Sequence, residues 1–210
     1  GVKLARRRPT LTALLVASAR GTRAVLAVSG GFIVALSRAE ARARLARAAE
    51  RGFSAAQIDY ALMSDDQTQA GRLLLAAAEQ NDPRGQYEYA RWLRDSPAGP
   101  RDPSAALPFL ERAAAAGEAE AQHMLATLYR DGLGAPRDLG RARALYESAA
   151  RAGHAPAMFN LADLIRSGGP AERAQAISLY QRLACMSDQL QIAPMAQRRL
   201  SALGASASCR

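Results

Sequence analysis

A self-similarity with a spacing of 36 residues is the feature that most constrains what this chain can fold into. The stretch "PRD" at 100–102 recurs at 136–138, and Asn81, Gly117 and Gly153 follow one another at the same spacing. A fixed period in this range is typical of helical repeat arrays, in which each unit buries its apolar face only by stacking on the next. The sequence therefore predicts an all-α fold, an α-solenoid of stacked antiparallel helix pairs.

About four copies of the unit are recognisable. The stretch "AEAQHMLATLYRDGL" (119–133) is matched by "APAMFNLADLIRSGG" (155–169) at a shift of 36. An earlier copy begins with "SAAQIDYALM" (54–63), and its middle loop is shorter by seven residues. We expect three regions, namely an N-terminal segment over residues 1–41, the solenoid over 42–203 and a C-terminal tail over 204–210.

The glycines and the aspartate of the third copy have structural roles in a helix pair. Gly132 and Gly134 allow the chain to reverse after the first helix, because glycine adopts positive φ at little cost. Pro136 prevents the helix from continuing, Asp138 stands at the N-cap of the second helix, and Gly153 ends that helix. A phosphate-binding loop would need a preceding strand and a Lys-Ser/Thr pair. Nucleotide binding is therefore not expected.

The third copy resembles a Sel1-like repeat, a relative of the tetratricopeptide repeat. The family pattern is A-x-x-x-L-G-x-x-Y-x-x-G-x-G-V-x-x-D followed by A-x-x-W-Y-x-x-A-A-x-x-G, and Ala126 and Leu145 stand where the family has Gly and Trp. The matching positions are Ala121, Leu125, Tyr129, Gly132, Gly134, Asp138, Ala142, Tyr146, Ala149, Ala150 and Gly153. The resemblance covers about residues 41–203. It implies a curved solenoid whose concave face holds a protein partner, as in adaptors, envelope scaffolds, periplasmic regulators and immunity proteins.

The N-terminal segment has the composition of an export signal. It holds seven basic residues and one acid, so it accounts for +6 of the total net charge of +9. Apolar runs at 11–19 and 24–37 precede Ala39 and Ala41, an Ala-x-Ala arrangement typical of signal cleavage. Three interpretations stay open: a cleaved signal, a membrane anchor through residues 11–37, or helices or a hairpin packed on the solenoid. The longer run is short for a bilayer span, and joining the runs would bury two arginines.

The two cysteines of the chain, Cys185 and Cys209, bear on its location. An even number of cysteines in an exported protein permits one disulfide. Such a bond would tie the C-terminal tail to the last repeat. Two free thiols are the alternative, and the choice between them depends on whether the protein is exported.

Charge and chemistry exclude several classes of function. Beyond residue 41 the net charge is only +3, with acidic and basic residues interspersed, so a nucleic-acid-binding stripe is not expected. His123 and His154 are the only histidines, and no cysteines and histidines have metal-ligand spacing. We therefore expect no catalysis, no metal, no cofactor and no small-molecule substrate.

Three rows of repeat-equivalent positions on the first helices are candidates for partner contact. They are Tyr87, His123 and Phe159; Glu88, Met124 and Asn160; and Arg91, Thr127 and Asp163. The first row is largely aromatic, which suits either a binding hot spot or packing between helices. The other two rows vary in chemistry, as expected of positions that face a partner or solvent. Trp92 aligns with Leu128 and Leu164 and is expected in the core.

The leading hypothesis is a non-catalytic scaffold or regulator that binds another protein, in the bacterial periplasm or tethered at the cell envelope. Its role would be complex assembly, signalling regulation or toxin immunity. One alternative is a cytosolic adaptor whose N-terminal helices pack on the solenoid. The other is an accessory domain of an enzyme.

Overall fold

The structure is a computed structural model that describes the backbone of residues 15–16, 25–26, 30–207 and 209, and the side chains of 39–207 and 209. In these parts it contains two short strands and ten helices. They are β1 (Leu15–Val16), β2 (Val25–Leu26), α1 (Gly30–Glu50), α2 (Ser54–Leu62), α3 (Gln67–Glu79), α4 (Pro83–Asp95), α5 (Pro103–Ala115), α6 (Ala119–Asp131), α7 (Leu139–Arg151), α8 (Ala155–Ile165), α9 (Pro170–Ala184) and α10 (Ile192–Ala202).

The helices follow one another as antiparallel pairs, which confirms the predicted α-solenoid. Each helix packs mainly on its neighbours in the chain, from α1 against α2 through to α9 against α10. We call α2, α4, α6, α8 and α10 the first helices, because they occupy the first position of each pair. The second helices are α3, α5, α7 and α9. Additional contacts join α2 to α4 and α8 to α10, so first helices also touch across repeats.

The N-terminal segment differs from the repeats. Strands β1 and β2 pair antiparallel, with Leu15 opposite Leu26. Helix α1 runs from Gly30 across Ala39 and Ala41 to Glu50 without a break. None of the described helices has both the length and the apolar character needed to cross a bilayer. Much of the predicted anchor at 11–37 lies outside the described residues, including 11–14, 17–24 and 27–29.

The predicted joints are present in the structure. The φ angles of Gly132, Gly134 and Gly153 are +72°, +76° and +86°. Asn81, which stands where other repeats have glycine, also has a positive φ of 59°. The Asp138 carboxylate accepts a hydrogen bond from the amide of Arg141 at 2.9 Å, so it caps α7 as predicted. Local chemistry thus determines where these helices begin and end.

Alanines form the seams between the helices. At 36-residue spacing on α4, α6 and α8, the side chains of Ala90, Ala126 and Ala162 have no exposed surface. Ala106 and Ala142 on the second helices are equally buried. A single methyl group allows two helix backbones to approach closely. The larger side chains, such as those of Leu110, Tyr146, Met158 and Tyr180, fill the space between the seams.

Helix α10 lies at the end of the predicted solenoid of residues 42–203 and continues its 36-residue period. Leu200 lies 36 residues after Leu164, and only 1% of its surface is exposed. The following residues Leu203, Ala205 and Ala207 pack on the same core. The Sγ atoms of Cys185 and Cys209 are 2.06 Å apart and the Cα atoms 5.4 Å apart, so a disulfide joins the end of α9 to the tail.

Replacing Gly134 by Ala is expected to destabilise the protein by about 3 kcal/mol. Its positive φ disfavours a side chain, and an added Cβ would lie 2.7 Å from backbone atoms of Pro103 and Ser104. Gly153→Ala is the matched control, since its φ is +86° but an added Cβ meets no atom within 4 Å. Gly153→Ala should lower the free energy of unfolding by only about 1 kcal/mol. Urea unfolding measures both, and equal losses would contradict the close approach at Gly134.

Candidate functional site

One side of the first helices carries the predicted candidates, spaced three or four residues apart. Because residues at i, i+4 and i+7 share one side of a helix, repeat-equivalent positions at this spacing form a continuous surface. Two contacts connect neighbouring helices along it. The amide nitrogen of Asn160 lies 2.8 Å from Nε2 of His123, and Arg199 Nε lies 2.9 Å from an Asp163 oxygen. We call it the first-helix face; it comprises Tyr87, Arg91, Arg94, His123, Thr127, Arg130, Asp163, Arg166 and Arg199, together with Asn160, which belongs to the adjacent row and contacts His123.

Tyrosine hydroxyls from the second helices reach this face. The Tyr146 hydroxyl lies 2.9 Å from the Thr127 hydroxyl, and the Tyr180 hydroxyl donates to Asp163 at 2.7 Å. In the preceding repeat Leu110 replaces the tyrosine and offers no hydroxyl. There the equivalent residue, Arg91, pairs with Glu88 at 2.8 Å instead. The residue type at Arg91, Thr127 and Asp163 therefore matches what the second helix of the same repeat provides, a tyrosine hydroxyl or none.

The two histidines meet between α6 and α8. Their ring centres are 4.9 Å apart. The Asn160 amide donates to His123 Nε2, and the Ala157 amide donates to His154 Nδ1 at 3.2 Å, so both ring nitrogens act as acceptors. Burial, together with the neighbouring His154, lowers the pKa of His123 to about 4. Burial also lowers the pKa of His154. Both rings are therefore neutral at physiological pH.

A pair of carboxyl groups borders the histidines. Glu118 precedes the first turn of α6, and Glu120 lies within it. Burial and the neighbouring Glu120 raise the pKa of Glu118 to about 7, whereas the interaction with Glu118 lowers the pKa of Glu120. Glu118 is therefore partly protonated near neutral pH. No group of three histidine, cysteine, aspartate or glutamate side chains within 39–207 is placed to hold a metal ion.

A groove of about 260 Å³ opens at one end of the face, between α2, α3 and α4. The ring of Trp92 forms one wall, and its Nε1 donates to the Gln67 carbonyl at 2.9 Å. The side chain of Leu74 is buried at the groove, whereas 49% of Leu62 is exposed at its edge. Polar residues complete the lining, which comprises Ala61, Leu62, Gln67, Ala70, Leu74, Glu88, Arg91, Trp92, Asp95 and Ser96.

The groove coincides with the shortened loop of the first repeat. Only four residues, 63–66, separate α2 from α3, whereas seven residues, 132–138, separate α6 from α7. Helix α2 has 9 residues and α6 has 13, so the seven residues expected to be missing from the loop are divided between the loop and the helix. The end of α2 therefore stays close to the start of α3, and the groove opens between them and α4. A wider cleft of about 490 Å³ between α7, α8 and α9 has no aromatic residue in its lining. The groove at Trp92 thus combines an apolar wall with charged groups at its rim.

The predicted candidates divide by burial. Glu88, Met124 and Phe159 are 9%, 6% and 8% exposed, so they have almost no surface to offer a partner. This burial corrects the expectation of partner or solvent contact for Glu88, which is held by Arg91, and for Met124, which packs in the core. For Phe159 it supports packing between helices, one of the two alternatives open from the sequence. The remaining six lie at least partly at the surface, namely Tyr87, Arg91, His123, Thr127, Asn160 and Asp163.

Sequence reasoning missed Arg94, Arg130, Arg166 and Arg199 on this face and Leu62 and Trp92 at the groove. Trp92 was expected in the core but is half-buried at the groove, where Gly71 leaves room for its ring. Leu62 carried no signal, because a single exposed leucine is common in any protein. The sequence did contain a signal for Arg199, because this residue lies 36 residues after Asp163. Extending the period into α10 would have identified it.

Comparisons with known proteins agree with this architecture. A family model described as Sel1 repeat matches residues 39–82, 83–118, 119–154 and 155–188. The crystal structure of c5321, a protective antigen present in uropathogenic Escherichia coli strains displaying an SLR fold, is similar with a TM-score of 0.68 and 24% identity over 80% of this chain. The crystal structure of a Sel1 repeat protein from Oxalobacter formigenes is similar with a TM-score of 0.66 and 27% sequence identity, over 78% of this chain. This chain covers 38% and 49% of those two chains. No curated protein matches.

The buried His123 is expected to make stability depend on pH. Its folded-state pKa of about 4 lies below the value of about 6.5 in an unfolded chain. The unfolded state therefore binds more protons between these values, and the His123 contribution to the free energy of unfolding falls as the pH falls through this window. Between pH 7 and pH 4.5, the free energy of unfolding of the wild type should fall by about 2 kcal/mol more than that of His123→Gln.

Comparing the two proteins at each pH is necessary because Glu118 acts in the opposite direction. Its raised pKa means that the folded state binds a proton more readily, which adds stability as the pH falls. This contribution cancels in the difference between wild type and His123→Gln. Urea unfolding at several pH values gives that difference. Two pH profiles that stay parallel would show that His123 does not titrate as described.

Proposed function

The chain belongs to the Sel1 repeat family, and on that premise we propose that it is a non-catalytic scaffold or regulator of the bacterial cell envelope. Sel1 repeats generally serve as protein–protein interaction scaffolds. Here the partner would be a segment of another protein, held on the concave side of the solenoid, which we identify with the first-helix face. Its role would lie in complex assembly, signalling regulation or toxin immunity.

The groove beside Trp92 is the observation that carries this proposal. Binding hot spots are enriched in tryptophan and arginine and surround a desolvated apolar anchor. Trp92 and Leu62 provide the apolar wall and edge, and the half-exposed Arg91 lies at the rim. A leucine, methionine or phenylalanine side chain of the partner would fill this space. The remainder of the face offers hydrogen-bonding groups rather than catalytic ones.

Two features support the envelope location. The basic and apolar composition of residues 1–41 resembles an export signal. The disulfide between Cys185 and Cys209 suits an oxidising compartment, since thiols are kept reduced in the bacterial cytosol.

A second candidate, a cytosolic adaptor, is favoured by helix α1. Cleavage after Ala41 would cut this helix, which extends unbroken from Gly30 to Glu50 and packs on α2. In that case residues 30–41 would be part of the mature fold. The two candidates share the same binding face and differ in location and in the state of the cysteines.

Replacing Leu62 by Glu is expected to weaken partner binding at least ~30-fold, because it places a charge at the apolar edge of the groove. Leu133→Glu is the matched control, since both leucines are 49% exposed and Leu133 does not line the groove. The partner is first identified by photo-crosslinking from position 62, and its affinity for each variant is then measured by calorimetry. Equal affinities of the two variants would refute the groove as the binding site.

Alkylation of the native protein distinguishes the two locations. Cells are lysed in N-ethylmaleimide, and the intact protein is analysed by mass spectrometry. An envelope protein is expected to carry no maleimide on Cys185 or Cys209, because both thiols are consumed in the disulfide. Maleimide on both residues would favour the cytosolic adaptor. The same spectrum gives the N-terminus and so tests cleavage after Ala41.

A further inference from the structure

Most arginines of the first-helix face have a carboxylate of their own. Arg94 pairs with Asp95 at 2.7 Å, and Arg130 pairs with Asp131 at the same distance. Arg91 likewise pairs with Glu88. Each of these pairs is neutral, so the face has no continuous positive charge over α4 and α6. An arginine of this face that lacks a carboxylate of its own would therefore leave an unbalanced positive charge.

The exception lies between α8 and α10, where two arginines share one carboxylate. Arg199 donates from Nε and Nη2 to the two oxygens of Asp163, at 2.9 and 3.2 Å. Arg166 Nε approaches the same carboxylate at 3.1 Å. The two guanidinium groups carry two positive charges and Asp163 one negative charge. One positive charge at this point of the face therefore has no counter-ion among these three groups.

One oxygen of the Asp163 carboxylate has more donors than it can fully accept. Asp163 Oδ1 is approached by Arg199, by Arg166 and by the Tyr180 hydroxyl, which donates at 2.7 Å. A carboxylate oxygen has two lone pairs, so three donors compete for it. Within residues 39–207, no acceptor forms a well-aligned hydrogen bond with the Arg166 guanidinium. This group therefore has donors available for an additional acceptor.

The site is both accessible and held in place. The side chains of Arg166 and Arg199 are each 45% exposed. The guanidinium of Arg199 lies over the Phe159 ring, 5.9 Å from its centre. Phe159 in turn packs edge-on against Tyr180, with ring centres 5.7 Å apart. The cation–π contact and the Asp163 bonds restrict Arg199, so its exposed edge is presented in a fixed direction.

We propose that Arg166 and Arg199 bind a carboxylate side chain, an aspartate or glutamate, of the protein segment that occupies the first-helix face. The inference rests on the proposed function and specifies the chemistry of its partner. Arginine matches a carboxylate through parallel N–H donors, which gives geometric selectivity in addition to charge attraction. Because the other arginines of the face are paired, the site accepts one acidic residue rather than a polyanion such as nucleic acid.

Short peptides test this site without knowledge of the partner. The probes are acetyl-Leu-Glu-Glu-Leu-amide and its neutral match, acetyl-Leu-Gln-Gln-Leu-amide, titrated into the ¹⁵N-labelled full chain. The Nε–Hε signals of Arg166 and Arg199 are followed by NMR. The glutamate peptide is expected to shift both signals saturably and to bind about tenfold more tightly than the glutamine peptide at 50 mM salt. Equal shifts by both peptides would overturn the proposal.

Neighbouring arginines provide the matched variants. Arg199→Gln should lower the affinity for the glutamate peptide about tenfold, and Arg198→Gln, one position away on the same helix, should change it less than about twofold. Arg166→Gln repeats the test if Arg199→Gln fails to fold. Equal losses in Arg198→Gln and Arg199→Gln would contradict the assignment. Tighter binding of acetyl-Leu-Gln-Gln-Leu with a free C-terminus would also contradict it, since a chain end would then be the ligand.

Leu62→Glu separates this proposal from the function on which it rests. That variant alters the groove beside Trp92, which is formed by α2, α3 and α4, and should bind the glutamate peptide as wild type does. If the peptide binds at Arg199 but the identified partner is indifferent to Leu62→Glu and Arg199→Gln, the site stands and the proposed function fails. If Leu62→Glu weakens the partner but the peptide leaves Arg166 and Arg199 unshifted, the function stands and this site fails.

Discussion

The close approach of helices through buried alanines is the constraint on which the rest of the structure depends. Ala90, Ala126 and Ala162 recur every 36 residues with no exposed surface, and Ala106 and Ala142 do the same on the second helices. A larger side chain at such a position would force neighbouring backbones apart, at a cost of about 1–3 kcal/mol. Since each pair contacts only its neighbours, small residues at these seams determine how the whole stack assembles.

The same seams decide which groups reach the first-helix face. With the backbones held close, a tyrosine on a second helix is long enough to place its hydroxyl beside the first helix, as Tyr146 and Tyr180 do. Where Leu110 replaces tyrosine, Arg91 pairs with Glu88 at the rim of the groove. The face therefore changes from an apolar groove at α2–α4, through neutral hydrogen-bonded groups at α6, to an unbalanced positive charge at α8–α10.

The fold could be predicted because its signals are local. Positive φ at Gly132, the cap at Asp138 and the helix pairing all follow from short-range chemistry repeated at a fixed period. The site was predicted less completely. Whether Met124 is buried depends on how neighbouring helices pack, and whether Asp163 is free depends on Tyr180 and Arg199, which are distant in sequence. The groove arises where the first repeat has a shortened loop between α2 and α3. The sequence shows that residues are missing there, but not which surface the shorter loop leaves exposed.

Hydrogen exchange of the protein with and without its identified partner shows whether the partner lies on the first-helix face. We expect the bound partner to slow exchange in the segments that line this face, at the groove of α2–α4 and at the arginine pair of α8–α10. The second helices α5 and α7 should be unchanged. Protection confined to α5, α7 and α9, with α4 and α8 unaffected, would mean that the partner binds elsewhere.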